Sequence, residues 1–214
     1  MSINPLVNDL SIEQESKIFK IDDKNSVCIR RHNSSDTNKV FLTYNRNIKF
    51  LSKFILHNRT SYSMADSKFW INSCIDNWNA NMSYEFLIID ENNGQILGSC
   101  SLNDINFTHR LANLGCWVLP NKLGKDLLDI AVAYMCYLGF YIMKLVRIEF
   151  VIDVNNAAHA KRIVRRGAGH FEGTLRNRLS VGEQVHDAHI YSVIPKDMWF
   201  YDGLLANYPK QKGL

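Results

Sequence analysis

A chain of 214 residues suits one domain with short extensions and is long enough to bury a real core. With 46% hydrophobic and 21% charged residues, it has an ordinary globular composition that excludes wholesale disorder. The net charge of +4 and pI near 8.7 suit an anionic cofactor or a ribosomal surface but identify neither.

In chain order, residues 1–24 read as a polar, loosely structured N-terminal extension with a short helix around Ile12 to Phe19. The extension lacks the long apolar core of a signal peptide. "SVCIRR" at 26–31 has strand composition, and Ser34 or Ser35 is placed to cap a helix from about Thr37 to Phe54. A second helix fits Asp66 to Trp78, where apolar residues recur at steps of three and four. The period then changes: "YEFLIID", the turn "ENNG" and "QILGSCSL" predict a hairpin, with Asn93-Gly94 supplying backbone freedom at positive φ.

A third strand of this group follows at Ala112 to Leu119, then the loop "PNKLGK" and a long helix from about Leu127 to Met143. Asp129 interrupts that apolar stretch, which reads as a buried helix and is short for a membrane span. "VRIEFVID" at 146–153 is another strand, ended by Asn155-Asn156; a helix from about Ala157 to Arg166 stops at Gly167 and Gly169. Two last strands lie near His170 to Ser180 and Val185 to Ile194, before a tail at 196–214 that holds Trp199, Phe200 and Tyr201. The order β-α-α-β-β-β-α-β-α-β-β predicts mixed α/β (α+β) architecture, one sheet with helices on both faces. Cys28, Cys74, Cys100, Cys116 and Cys136 are scattered singly without a CxxC pair, which fits reduced thiols in a cytosolic protein better than disulfides or a zinc site.

The chemistry is concentrated in 112–194. A strand ending in Trp117-Val118-Leu119-Pro120 passes through a basic, Gly-containing loop into a helix. Such a junction offers unpaired N–H groups and the positive end of a helix dipole to a pyrophosphate. Lys122 and Lys125 add charge, and Gly124 lets the backbone approach the phosphates. A plain connection would look much the same. The helix run Lys161, Arg162, Arg165 and Arg166 fits a phosphate or RNA, and fits better a solvated face that complements the helix C-terminal dipole.

Six segments in sequence resemble the GNAT superfamily of acyl-CoA-dependent N-acetyltransferases, in its ribosomal-protein alanine/serine N-acetyltransferase-like branch. They are "ILGSCSL", "ANLGCWVL", the loop at 121–126, "NNAAHAKRIVRRG", "FEGTLRN" and "GEQVHDAHIYSV". The resemblance covers about Ser26 to Ile194 and implies a GNAT domain at 25–195. It implies a mixed central sheet of about seven strands. In this family the fourth and fifth strands splay apart, and the pantetheine arm of acetyl-CoA lies in the opening.

Carried over by position, Gly124 takes the central glycine of the phosphate loop and Asn156 the asparagine that contacts the pantetheine arm. Trp117, with Leu114 and Val118, would build the strand beside the cofactor. Trp117 also reads as a core aromatic, and Asn156 as a capping residue. Backbone N–H groups from Cys116 to Val118 would polarise the thioester carbonyl.

The loop departs from the family pattern at Asp126, whose carboxylate at the helix start would repel a pyrophosphate. Asn113 stands where many relatives hold a glutamate base. Glu149 and Glu172 are the carboxylate candidates for the base, and His170 and Asp187 are further candidates, Asp187 reading foremost as a tie of the last hairpin. His159, in the family's serine position, is a candidate proton donor to the leaving thiolate.

The resemblance implies an acetyl-CoA-dependent enzyme acting on a primary amine, foremost a protein or peptide N-terminal α-amine, without a metal. A polyamine, antibiotic or amino-acid acetyltransferase, a non-catalytic acyl-CoA-binding or protein-interaction module, and an RNA-associated basic domain are the alternatives. Ribosome association and a homodimer stay open as partnerships, and the expected location is the cytoplasm.

Overall fold

The computed structural model describes residues 16–52, 60–120, 126–156 and 169–201. The strands are β1 (Lys17–Lys20), β2 (Ser26–Arg31), β3 (Tyr84–Asp90), β4 (Ile96–Asn106), β5 (Leu111–Val118), β6 (Arg147–Asp153), β7 (His170–Val181) and β8 (Gln184–Val193). They form one sheet in the order β1-β2-β3-β4-β5-β6-β8-β7. All neighbours are antiparallel except β5 and β6. The helices are α1 (Thr37–Arg46), α2 (Ile48–Leu51), α3 (Met64–Asn79) and α4 (Asp126–Tyr137).

The two faces of the sheet carry separate cores. Val40, Tyr44, Ile71 and Cys74 of α1 and α3 pack on Leu87 and Ile89 of β3. On the other face the apolar α4 packs with Phe86, Ile88, Leu102, Leu114 and Ile148. Strand alternation explains the division, since successive side chains point to opposite faces. Thus "YEFLIID" gives Tyr84, Phe86 and Ile88 to the α4 side and Glu85, Leu87 and Ile89 to the α1/α3 side.

Four local expectations need correction. The N-terminal extension contributes an eighth strand, β1, where a short helix was expected to reach Phe19. Its period is two: Phe19 is buried in the core while Ile18 is exposed. Neither Ser34 nor Ser35 caps the helix: Asn33 caps a 3-10 turn, Ser34–Asp36, that leads into α1, and Asp36 completes a capping box with it. Asp36 also holds the Arg30 guanidinium through two bonds of 2.8 and 2.7 Å.

The helix expected to run from Thr37 to Phe54 breaks at Asn47, whose backbone leaves the helical region and whose amide donates to the Thr43 carbonyl at 2.8 Å. Residues 53–59 lie outside the described residues. The long apolar helix loosens into a π-turn over Leu138–Ile142. Gly139 lies in that turn, and a Cβ there would come within 2.7 Å of Ile148 Cδ1.

Other features follow the sequence pattern. Ser63 and Asp66 form a reciprocal capping box that starts α3 two residues before the expected Asp66. Gly94 takes φ +68° in the β3–β4 turn. All five cysteines are free thiols, four of them buried and Cys116 half-buried. No helix among the described residues is long and apolar enough to cross a membrane.

The end of the β4–β5 pair is set by a close approach. A Cβ on Gly98 would lie 2.3 Å from the Trp117 carbonyl oxygen, so only glycine lets β4 run against β5 there. Gly98→Ala should therefore lower unfolding stability by about 1–3 kcal/mol in urea titrations. A variant as stable as the parent would contradict this close contact.

Candidate active site

The site begins where a strand pair stops. β5 and β6 run parallel for only three residues each, with Leu111 opposite Arg147, Ala112 opposite Ile148 and Asn113 opposite Glu149. Beyond Asn113, β5 stays bound to β4 from Leu114 to Val118, while β6 stays bound to β8 from Phe150 to Asp153. No further β5–β6 pair forms among the described residues, and the two strands diverge. Alternate residues along each strand therefore aim N–H and C=O groups into the gap rather than into a ladder. A ligand with its own amide groups is the natural partner for such edges.

Asn113 closes the apex of this fork. Its side-chain carbonyl accepts from the Val151 N–H at 3.2 Å, and its amide donates to the Asn103 carbonyl oxygen at 2.8 Å. One side chain thus ties β6 to β4 across β5. At the open end, β5 leads toward α4, which starts at Asp126, so a helix N-terminus follows the mouth of the fork. The loop residues Lys122, Gly124 and Lys125 lie outside the described residues, as does the side chain of Asp126.

Trp117, on the α1/α3 face of β5, meets Tyr44 edge-on with ring centroids 5.5 Å apart. Tyr44 stacks in turn on Tyr62 at 4.9 Å. Cys116 and Val118 point to the opposite face and pack against the α4 core. On the other prong, Asn156 turns the chain away from β6 by donating its N–H to the Asp153 carbonyl at 2.8 Å. The Asp153 carboxylate accepts from the Asn155 N–H at 2.8 Å and meets His186 Nδ1. His159 and the basic run Lys161 to Arg166 lie outside the described residues.

The carboxylates singled out from sequence are both held by Arg147. Its Nε donates to Glu149 at 2.7 Å, and its two terminal nitrogens grip Glu172 as a fork. Ser192 donates a further bond of 2.6 Å to Glu172. The Arg147 guanidinium, with Ser192, pulls the Glu172 carboxyl down to about 2. A carboxylate so stabilised does not take a proton from an amine at neutral pH. Glu149 faces Asn113 at the apex, nearer the fork, but spends one oxygen on the same arginine.

His170 is exposed on β7. Asp187 ties the last hairpin, accepting from the Asn177 N–H at 2.8 Å.

A further carboxylate, not singled out by its sequence context, is Glu85. It lies on β3 opposite Ser101, which lies opposite Gly115 on the free prong of the fork. Burial pushes its carboxyl up to about 7, with a hydrogen bond from Ser101 opposing the rise. The available signal was strand alternation, which sets a lone acid in register with Leu87 and Ile89 on a buried face.

Comparison with known proteins gives the geometry a family. A family model described as an acetyltransferase (GNAT) domain matches residues 26–168, about two-thirds of the chain. The chain belongs to the GNAT acetyltransferase family. Acetyl-CoA is accordingly the acetyl donor of this N-acetyltransferase.

Solved structures share the fold. One is the ribosomal-protein-S5-alanine acetyltransferase from Vibrio fischeri, 21% identical, with a TM-score of 0.70 over 85% of this chain and 98% of that one. Another is the microcin C7 self-immunity acetyltransferase MccE in complex with acetyl-CoA and AMP, 20% identical, TM-score 0.70, over 82% of this chain and 94% of that one. RimJ of Mycobacterium smegmatis, in complex with CoA-disulfide, is 15% identical, TM-score 0.70, over 89% of this chain and 95% of that one. A search of curated proteins finds no match.

The Arg147 cluster has a pH signature. Because the folded carboxyl of Glu172 lies near 2 rather than its ordinary 4.5, its contribution is present above 4.5 and is lost as pH falls through about 2. The stability gap between the parent GNAT protein and Arg147→Gln should therefore shrink toward pH 2 in acid unfolding series. Carboxyl NMR of the variant should show the Glu172 midpoint moving back toward 4.5. A gap constant with pH, or an unmoved midpoint, would contradict the pairing.

Proposed function

We propose that this enzyme transfers the acetyl group of acetyl-CoA to a primary amine, foremost the N-terminal α-amine of a protein or peptide. The β5–β6 fork is the observation that carries the reading. Its two free edges fit the amide groups of a pantetheine arm, and the start of α4 lies beyond its mouth, where a diphosphate would sit. Acetyl-CoA supplies the activated acyl carbon and a thiolate leaving group.

In this reading the amides around Gly124, with Lys122 and Lys125, hold the diphosphate, and Asn156 meets the pantetheine arm from the β6 side. Backbone N–H groups between Cys116 and Val118 polarise the thioester carbonyl. Donors already fixed by the β4–β5 ladder need little reorganisation as charge develops on that oxygen. Trp117, anchored on Tyr44, supports this prong from the α1/α3 face. His159 serves as a proton donor to the departing thiolate, and Glu149 contributes local negative charge near the apex, which favours a cationic amine.

The likeness of the fold to ribosomal-protein acetyltransferases supports the α-amine over a small-molecule amine, with work on ribosomal protein in the cytoplasm and a homodimer as extensions of the same reading. Calorimetry and mass spectrometry test it. Acetyl-CoA should bind, and acetylation should appear on peptides beginning with Ser or Ala in preference to spermidine, an aminoglycoside or free amino acids. Replacing both Lys122 and Lys125 by Ala should weaken acetyl-CoA binding roughly tenfold, about 1.4 kcal/mol. Absence of binding at millimolar acetyl-CoA would leave a non-catalytic module; transfer only to small amines would move the acceptor class.

A further inference from the structure

A line of side chains crosses the sheet from the apex of the fork to Glu85, and each member donates toward the carboxylate. The Val151 N–H donates to the Asn113 carbonyl, and the Asn113 amide donates to the Asn103 carbonyl. The Asn103 amide then donates to Ser101 Oγ at 3.0 Å. Ser101 faces Glu85 across the β3–β4 pair, and its hydroxyl draws the Glu85 carboxyl down against the larger upward push of burial. With the two amides oriented by their partners, the serine hydroxyl hydrogen is left for the carboxylate, and one serine lone pair stays open.

The open lone pair has access to the fork. Gly115 stands opposite Ser101 on β5, two residues beyond the last β5–β6 pair, and a Cβ there would lie 3.0 Å from Ser101 Oγ and 3.6 Å from Asn103 Nδ2. Glycine thus leaves no side chain between the β5 backbone and the serine hydroxyl at that position. Two strand spacings, about 10 Å, separate Glu85 from the fork. One hydroxyl and one amine span that distance.

We propose that Ser101 and Glu85 form the proton relay of this acetyltransferase, receiving the acceptor's ammonium proton through the window at Gly115. The inference rests on the acetyl-transfer reading above. In the step, an ammonium N–H bond breaks and its proton joins Ser101 Oγ while the serine's own proton passes to Glu85. The neutral nitrogen then attacks the thioester carbon, and the C–S bond breaks. The adduct nitrogen loses its second proton and the thiolate gains one, so that coenzyme A leaves as the thiol, and Glu85 returns its proton to solvent. One proton is released per turnover. Glu85 acts through Ser101; the serine is the group that touches the amine.

The surroundings suit a group that changes charge near neutrality. Tyr44 of α1 and Cys74 of α3 face Glu85, and Glu85 acts on Cys100 through the sheet. Burial pushes the titration of all three upward, so they stay neutral while Glu85 titrates. Among the described residues no cation shifts the Glu85 carboxyl, and burial holds it near 7. A base with that midpoint both accepts a proton at neutral pH and gives it up again.

The experiment compares the parent enzyme, Glu85→Gln and Ser101→Ala, using acetyl-CoA and whichever amine of the panel above accepts best. The parent should show kcat/KM rising with pH through a midpoint near 7. Both variants should lose that limb and roughly a hundredfold in kcat, with acetyl-CoA affinity unchanged. Folding is checked independently. The raised carboxyl makes the parent lose stability as pH rises from 4.5 to about 7, so Glu85→Gln should gain on it across that window.

A variant that keeps the parent's pH limb and rate overturns the relay alone, as does a Glu85 carboxyl that titrates by NMR at its ordinary 4.5. A parent enzyme that acetylates no amine overturns the acetyl-transfer reading as well.

Discussion

The parallel pair that gives out after three residues is the constraint on which the site depends. Were β5 and β6 joined along their length, the sheet would be continuous, with no backbone free to meet a ligand. Their separation leaves polar edges that need a partner, because unpaired N–H and C=O groups kept from water are costly. Each prong can diverge because its other edge is secured: β5 by the β4 ladder and β6 by β8. The fork is therefore held open by the same hydrogen bonds that build the sheet.

Asn113 fixes where the opening starts. The GNAT resemblance implies a glutamate base at this position, and in sequence an amide there reads as loss of that base. In the structure the amide has a use that a carboxylate lacks, since it accepts from Val151 and donates to Asn103 at once. An ionised glutamate could only accept. The apex thus holds a clasp across three strands where a carboxylate would be a proton acceptor, and Glu85, two strands away, is left as the proposed base.

Much of this was legible in the sequence. The period-two runs at β3 and β6 and the Asn-Gly turn placed those strands within a residue, β4 runs four residues past its expected end to Asn106, and the GNAT resemblance supplied the fork. β1 was missed because four residues outside the recognisable domain carry too little pattern, and only Phe19 reveals it by packing on Tyr134 with ring centroids 5.3 Å apart. The break at Asn47 was invisible because the apolar stripe continues past it. The roles of Glu149 and Glu172 could not be read because Arg147 reaches Glu172 across 25 positions of chain. The Glu85 line was likewise hidden, since its members lie on four strands and meet only through register.

Backbone hydrogen exchange with and without acetyl-CoA tests the central claim most directly. Acetyl-CoA should slow exchange at the gap-facing amides between Leu114 and Val118 and between Phe150 and Asp153, leaving the β2–β3 ladder unchanged. Protection that appears elsewhere while both prongs exchange as before would mean the fork is not where the donor binds.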